Sequence, residues 1–215
     1  MKWEMDRDPD RMWIEFGKCY VEPMDGKYVA VEPGLVVERD PAILFQTQLL
    51  ELGESNGNGD LVNAPANSWF HLVDQVLTNP DFFFGFSKFS RQFERFIAGA
   101  YRLDGCDQVT LTPPSADKGR DVIAVRHDSC PIKVIDDAKA YSKGNLVTHT
   151  QVRAMLGVLS SEHDASKGVI TTTSDFQPRI HLDESFESFI PSRLQLRNGT
   201  DLLKWLKTLR TSPFA

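Results

Sequence analysis

The chain has 215 residues, 41% hydrophobic and 25% charged, with a formal net charge of −6; this is the composition of an ordinary globular protein, long enough for one large domain or two small ones. No run of about 18 apolar residues exists, so no helical membrane span is expected. Cys19, Cys106 and Cys130 lie far apart without a CxxC, against a disulfide framework or a zinc site, and the N-terminal MKWEMDRDPDRMW lacks the apolar core of a secretory signal, so a reducing cytoplasm is the expected compartment.

WIEFGKCYVEP (13–23) and KYVAVEPGLVVER (27–39) alternate imperfectly around the turn signal MDG and read as short strands. ERDPAILFQTQLLELG (38–53) reads as a helix, with Asp40 as its cap, Pro41 in its first turn and Gly53 at its end. ESNGNGD (54–60) is the clearest loop or linker. ANSWFHLVDQVLTN (66–79) resembles a second helix with Trp69, Leu72, Val73 and Val76 on one face, and PDFFFGF (80–86) is an aromatic packing joint.

From Ser87 the pattern is firmer. SKFSRQFERFIAGAYRLDG (87–105) is an amphipathic helix with Phe89, Phe93, Phe96, Ile97 and Ala100 inward, capped by Ser87 or Ser90. DQVTLTP, DVIAVRH and IKVIDDAK read as three strands, THTQVRAMLGVLSSEH (148–163) as a helix, and KGVITTT (167–173) as a buried strand. RLQLR and TDLLKWLKTLR close the chain as strand and helix. The order α-β-β-β-α-β, then β-α, predicts an α/β layer around a mixed sheet.

Charge is uneven. Residues 1–86 carry 6 Lys and Arg against 15 Asp and Glu, a net of −9; residues 87–215 carry 18 against 15, a net of +3. The total would argue against nucleic acid, but phosphate binding follows the local field.

Asp121 opens one apolar segment; Asp137 and Lys139 end the next. Side chains alternate along a strand, so Asp137 and Lys139 point the same way, and a hairpin brings Asp121 beside them. Two carboxylates and an ammonium at a sheet end can hold a divalent metal and activate a water, which is the equipment for cutting a phosphodiester. Mg²⁺, with Mn²⁺ as a substitute, is the expected cofactor. Its ligands would be Asp121, Asp137 and the main-chain carbonyl of Ala138, while Lys139 orients water or stabilises charge.

SRQFERFIAGAYRLDG, PPSADKGRDVIAV, KVIDDAKAY, VRAMLGVL and KGVITTTSDF together resemble the Mrr-type restriction endonuclease catalytic domain of the PD-(D/E)xK nuclease superfamily, over about residues 87–210. The resemblance implies a restriction-endonuclease-like mixed β-sheet of four or five strands flanked by helices; the strands and helices read before it make a smaller α+β N-terminal region. It also implies a Mg²⁺-dependent DNA endonuclease, in restriction or antiviral defence. Asp121 takes the place of the family's G-x-D aspartate, Asp137 stands where Gln or Glu is usual, and Lys139 is the family's lysine. Glu94 matches a position that helps organise the metal site, and Gln151 faces the site. Arg120 replaces an apolar residue and adds a cation that could contact a phosphate.

Lys118 is a further candidate for the DNA groove, as are Lys143 and Arg153, and Thr172 for phosphate binding, each against the plainer reading of surface charge or strand end. Residues 1–86 carry no recognisable family motif; their acidity favours docking of a partner protein, or restraint of the nuclease groove, over DNA reading. A homo-oligomer or complex subunit is expected. The alternatives are a structure-specific repair or recombination nuclease, and a non-catalytic nuclease-fold protein kept for DNA binding or assembly.

Overall fold

The computed structural model describes residues 41–114 and 119–211, together with the backbones of four strands between residues 14 and 39. Two units divide the chain, 1–44 and 45–215. The described strands of the first are β1 (Ile14–Phe16), β2 (Cys19–Met24), β3 (Lys27–Glu32) and β4 (Leu35–Arg39). They form an antiparallel meander in sequence order, as the alternation around MDG predicts.

The predicted helix over 38–53 is not formed. A 3₁₀ turn, Pro41–Gln46, is followed by β5 (Leu50–Asn56), which pairs antiparallel with β6 (Gly59–Pro65). The predicted linker 54–60 is the tip of that hairpin. The Asn56 side chain accepts hydrogen bonds from the backbone N–H groups of Asn58 and Gly59, an Asx turn that fixes the reversal. Gly59 has φ +140°, and a Cβ there would run into the Leu111 carbonyl, so only glycine fits. Tertiary pairing has overridden a helical pattern because Leu49 and Leu50 bury fully in the extended form. Asp40, the predicted cap, lies outside the described residues.

Helix α1 (Asn67–Thr78) buries Trp69, Leu72, Val73 and Val76 as its spacing predicts. A 3₁₀ segment, Pro80–Lys88, leads into α2 (Ser90–Leu103). Neither serine caps α2: its N-cap is Phe89, and the Ser87 hydroxyl donates to the Phe84 carbonyl. Phe93, Phe96 and Ile97 of α2 are fully buried, each contributing roughly 1.5–3 kcal/mol of apolar burial. The aromatic joint packs inside the second unit, where the Phe45 ring meets Phe82, Phe86 and Phe89. The second unit thus takes in residues 45–86, which the sequence groups with the acidic N-terminal region.

The remaining elements are β7 (Gln108–Leu111), β8 (Val122–Arg126), β9 (Ile132–Lys139), β10 (Leu146–Val147), α3 (His149–Ser161), β11 (Lys167–Thr172), β12 (Asp175–Phe176), α4 (Glu184–Glu187), β13 (Leu194–Arg197) and α5 (Gly199–Thr211). Seven strands form one mixed sheet in the order β13-β11-β9-β8-β7-β6-β5. β9, β11 and β13 are parallel; the pairs from β9 to β5 are antiparallel. Ile135 joins Val152, Met155 and Leu159 of α3 in one core, while the next residue, Asp136, meets Tyr101 of α2 on the opposite face. The sheet is flanked by helices on both faces, as the element order predicts. Among the described residues no helix is long and apolar enough to cross a membrane.

Candidate active site

The β8/β9 register pairs Val122 with Asp136, which sets Asp121 at the start of β8 against the last residues of β9. Two hydrogen bonds fix it there. The Asp121 backbone N–H donates to the Asp136 carbonyl at 3.0 Å, and the Asp121 carboxylate accepts from the Ala138 backbone N–H at 2.7 Å. Ala138 is the residue between Asp137 and Lys139, whose side chains share one face and form a direct ion pair. The hairpin therefore brings Asp121, Asp137 and Lys139 together as strand alternation predicts.

Glu94, on α2, is near enough for its charge to act on Asp121. Its carboxylate pairs with Arg91, one turn earlier on the helix. Arg91 also donates to the Thr112 carbonyl at 2.8 Å, and the Thr112 N–H donates to the Asp121 carbonyl at 3.0 Å. Arg91 thus ties the Glu94 helix to the strand ends that carry Asp121. Arg91 was not singled out from sequence, although the i, i+3 spacing to Glu94 was available.

Burial raises the Asp121 carboxyl to about 8, with repulsion from Asp137 and then Glu94 adding to it; the Ala138 N–H and Lys139 act the other way. On Lys139, burial pulls the ammonium down but is outweighed by the charge of Asp137, its hydrogen bond, and then Asp121, so the net shift is upward. Lys139 is a protonated cation in this arrangement, suited to orienting water or stabilising an anion rather than to accepting a proton.

Among the described residues no group of three or more His, Cys, Asp or Glu side chains is placed to hold an ion. Two carboxylates, Asp121 and Asp137, are hard oxygen donors. The Ala138 carbonyl could join them, because N–H and C=O of one strand residue point to the same side and the Ala138 N–H points at Asp121. Mg²⁺ keeps several waters of its own and needs only this many protein oxygens. The raised Asp121 carboxyl fits this reading, since buried carboxylates held near each other call for a cation.

Most of the residues expected to contact substrate have protein partners of their own. The Arg120 guanidinium pairs with Glu162 at the end of α3, where Lys133 bridges Glu162 at 3.2 Å and Asp164 at 2.9 Å. Gln151 completes a capping box with Thr148 at the start of α3, and its amide donates to the Tyr141 hydroxyl. The Thr172 hydroxyl, fully buried, donates to the Lys139 carbonyl at 2.9 Å. Lys118 lies outside the described residues. Lys143 and Arg153 are exposed but have acidic neighbours, Asp81 at 3.1 Å and Asp183 at 3.3 Å.

Against known families, the Mrr_cat model, described as restriction endonuclease, matches residues 89–206, more than half of the chain. Among solved structures, the MspJI restriction endonuclease in complex with a 27-mer oligonucleotide is similar at 16% identity and a TM-score of 0.46, over 70% of this chain and 34% of that one. The DNA modification-dependent restriction endonuclease AspBHI is similar at 15% identity and a TM-score of 0.47, over 94% of this chain and 57% of that one. The chain thus spans a third to somewhat over half of the length of these relatives. No curated protein matches it.

Proposed function

The chain belongs to the Mrr-type restriction endonuclease family, and we propose that it is a Mg²⁺-dependent endonuclease that hydrolyses DNA phosphodiester bonds in restriction or antiviral defence. The observation that carries this reading is the hydrogen bond from the Ala138 N–H to Asp121. It gathers two carboxylates and the Lys139 ammonium into one half-enclosed corner of the sheet.

Asp121, Asp137 and the Ala138 carbonyl would hold the metal, which when bound supplies charge stabilisation and an acidified water. Lys139 keeps its proton beside Asp137 and offers a cation to the attacking water or to a phosphate oxygen. Glu94, held by Arg91, adds a negative charge acting on Asp121 and could orient a water. Arg120, Gln151 and Thr172, each bonded within the fold, support these groups from behind rather than as direct DNA contacts. For Lys143 and Arg153 a phosphate can replace the acidic neighbour, because exposed ion pairs are weak.

Partner docking or restraint by the acidic N-terminal region remains part of the proposal. Its charge is shared between the two units: residues 1–44 carry 6 Lys and Arg against 10 Asp and Glu, and residues 45–86 carry 5 Asp and Glu with no Lys or Arg. The defining experiment incubates plasmid DNA with the protein in Mg²⁺, in Mn²⁺ and in EDTA, beside Asp137→Ala and Lys139→Ala. Metal-dependent cutting by the wild type alone supports the reading. Equal cutting by both variants would sink the site, and no cutting by the wild type favours the non-catalytic DNA-binding alternative.

A further inference from the structure

Directly behind the site lies a charged cluster that the proposed chemistry does not use. Asp136 is fully buried, on the opposite face of β9 from Asp137. Its Oδ2 accepts from the Tyr101 hydroxyl at 2.8 Å, the Thr171 hydroxyl at 2.7 Å and the Arg197 guanidinium at 3.5 Å. Its Oδ1 has no hydrogen-bond partner among the described residues. Arg197, itself nearly buried, lies 3.9 Å from the centre of the Trp205 ring.

Buried ion pairs are poor sources of stability, since desolvation offsets much of the attraction. A leucine or valine, which the neighbouring strand positions favour, would fill this place at lower cost. The cluster's position suggests what it provides instead. Tyr101 is on α2, the helix that carries Glu94; Thr171 is on β11 and Arg197 on β13. The Asp136 carbonyl receives the Asp121 N–H, and Asp136 precedes both Asp137 and Ala138. Successive strand side chains project to opposite faces, so clamping Asp136 fixes the rotation of the strand and the direction of Asp137.

We propose that Asp136, held by Tyr101, Thr171 and Arg197, is a positioning residue that sets the geometry of the metal-binding donors on β9 relative to Asp121 and Glu94. The proposal rests on the metal-dependent reading of the site. It predicts that the cluster governs metal affinity rather than stability. Outer partners of metal ligands act in this way, commonly by about ten- to a hundredfold.

The test titrates the full-length protein with Mn²⁺ alone, followed by the electron paramagnetic resonance of the free ion, together with thermal melts and DNA cleavage. Asp136→Asn should raise the Mn²⁺ midpoint by about tenfold, and Tyr101→Phe, the mildest change, should raise it less. Cleavage should fall at low metal and recover at saturating metal, with the KM for DNA unchanged. Joint Asp136→Asn and Arg197→Met substitution removes both charges, and should raise the midpoint without lowering the melting temperature in step. An unmoved midpoint beside a lowered melting temperature overturns the proposal and leaves a merely structural brace. If the wild type binds Mn²⁺ but cuts no DNA, the endonuclease reading fails while the midpoints still decide this one. If it binds no Mn²⁺, both fail.

Discussion

The Asp121 carboxylate accepts a 2.7 Å hydrogen bond from the backbone N–H of Ala138. Through it, a side chain at the start of β8 is registered on the residue that separates Asp137 from Lys139. The carboxylate pair is thereby set by the sheet itself, rather than by loops that could drift.

Asp137→Ala and Lys139→Ala should each lower kcat by at least about a hundredfold, the usual effect of removing one group that stabilises developing charge. Plasmid nicking followed over time measures it. Retention of more than a tenth of the activity by Lys139→Ala would contradict the assignment of the ammonium.

Asp121→Asn should stabilise the metal-free protein at alkaline pH. The folded chain keeps a proton on this carboxyl up to about 8, against 3.8 ordinarily, chiefly through burial and then the charge of Asp137. The associated stability is fully present below the unfolded value and is lost as pH rises through about 8. Melting temperatures in EDTA should therefore show the Asn variant gaining on the wild type between pH 5 and pH 8.5. A gap independent of pH would contradict this cause.

Glu94→Gln and Arg91→Met should be milder and similar to each other, about tenfold in cleavage, because Arg91 acts by holding Glu94 against the Thr112 strand end. If Arg91→Met were silent while Glu94→Gln was severe, the tether would have no role.

Arg120→Met should lower stability by on the order of 1–2 kcal/mol, since it strips Glu162 of one partner in a partly buried network. Its KM for DNA should stay near that of the wild type. Urea unfolding and steady-state cleavage separate the two effects, and a raised KM with normal stability would restore the phosphate-binding role.

A chain begun at Ser87 should not fold, because it lacks β5, β6 and α1, which supply two strands of the seven-stranded sheet and the buried Trp69. A chain begun at Pro41 keeps them and should give a cooperative melt. Circular dichroism on both decides it.

Much of this was legible because it is local. The strands over 122–126 and 132–139, the inward faces of α1 and α2, and the shared face of Asp137 and Lys139 all follow from periods of 2.0 and 3.6. The reading failed over 38–60, where Leu49, Leu50 and Leu52 fit a helix and a strand equally well. Only pairing of β5 with β6 chose between them. The Asp136 cluster was half visible: alternation puts the first aspartate of the IDDAK run on the face away from the site. Nothing local, however, says that Tyr101 and Arg197 wait there.

By itself the sequence determined the α/β order, the resemblance to the nuclease family and the acids and lysine at the strand ends, because each depends on neighbours a few residues apart. Only the tertiary structure decided that Asp121 bonds Ala138, that Lys139 is held as an ammonium, that Arg120, Gln151 and Thr172 are engaged within the fold, and that a buried Asp136–Arg197 pair backs the site. Those outcomes depend on which distant residues share a buried space, and burial sets both the partners and the protonation of the groups it encloses.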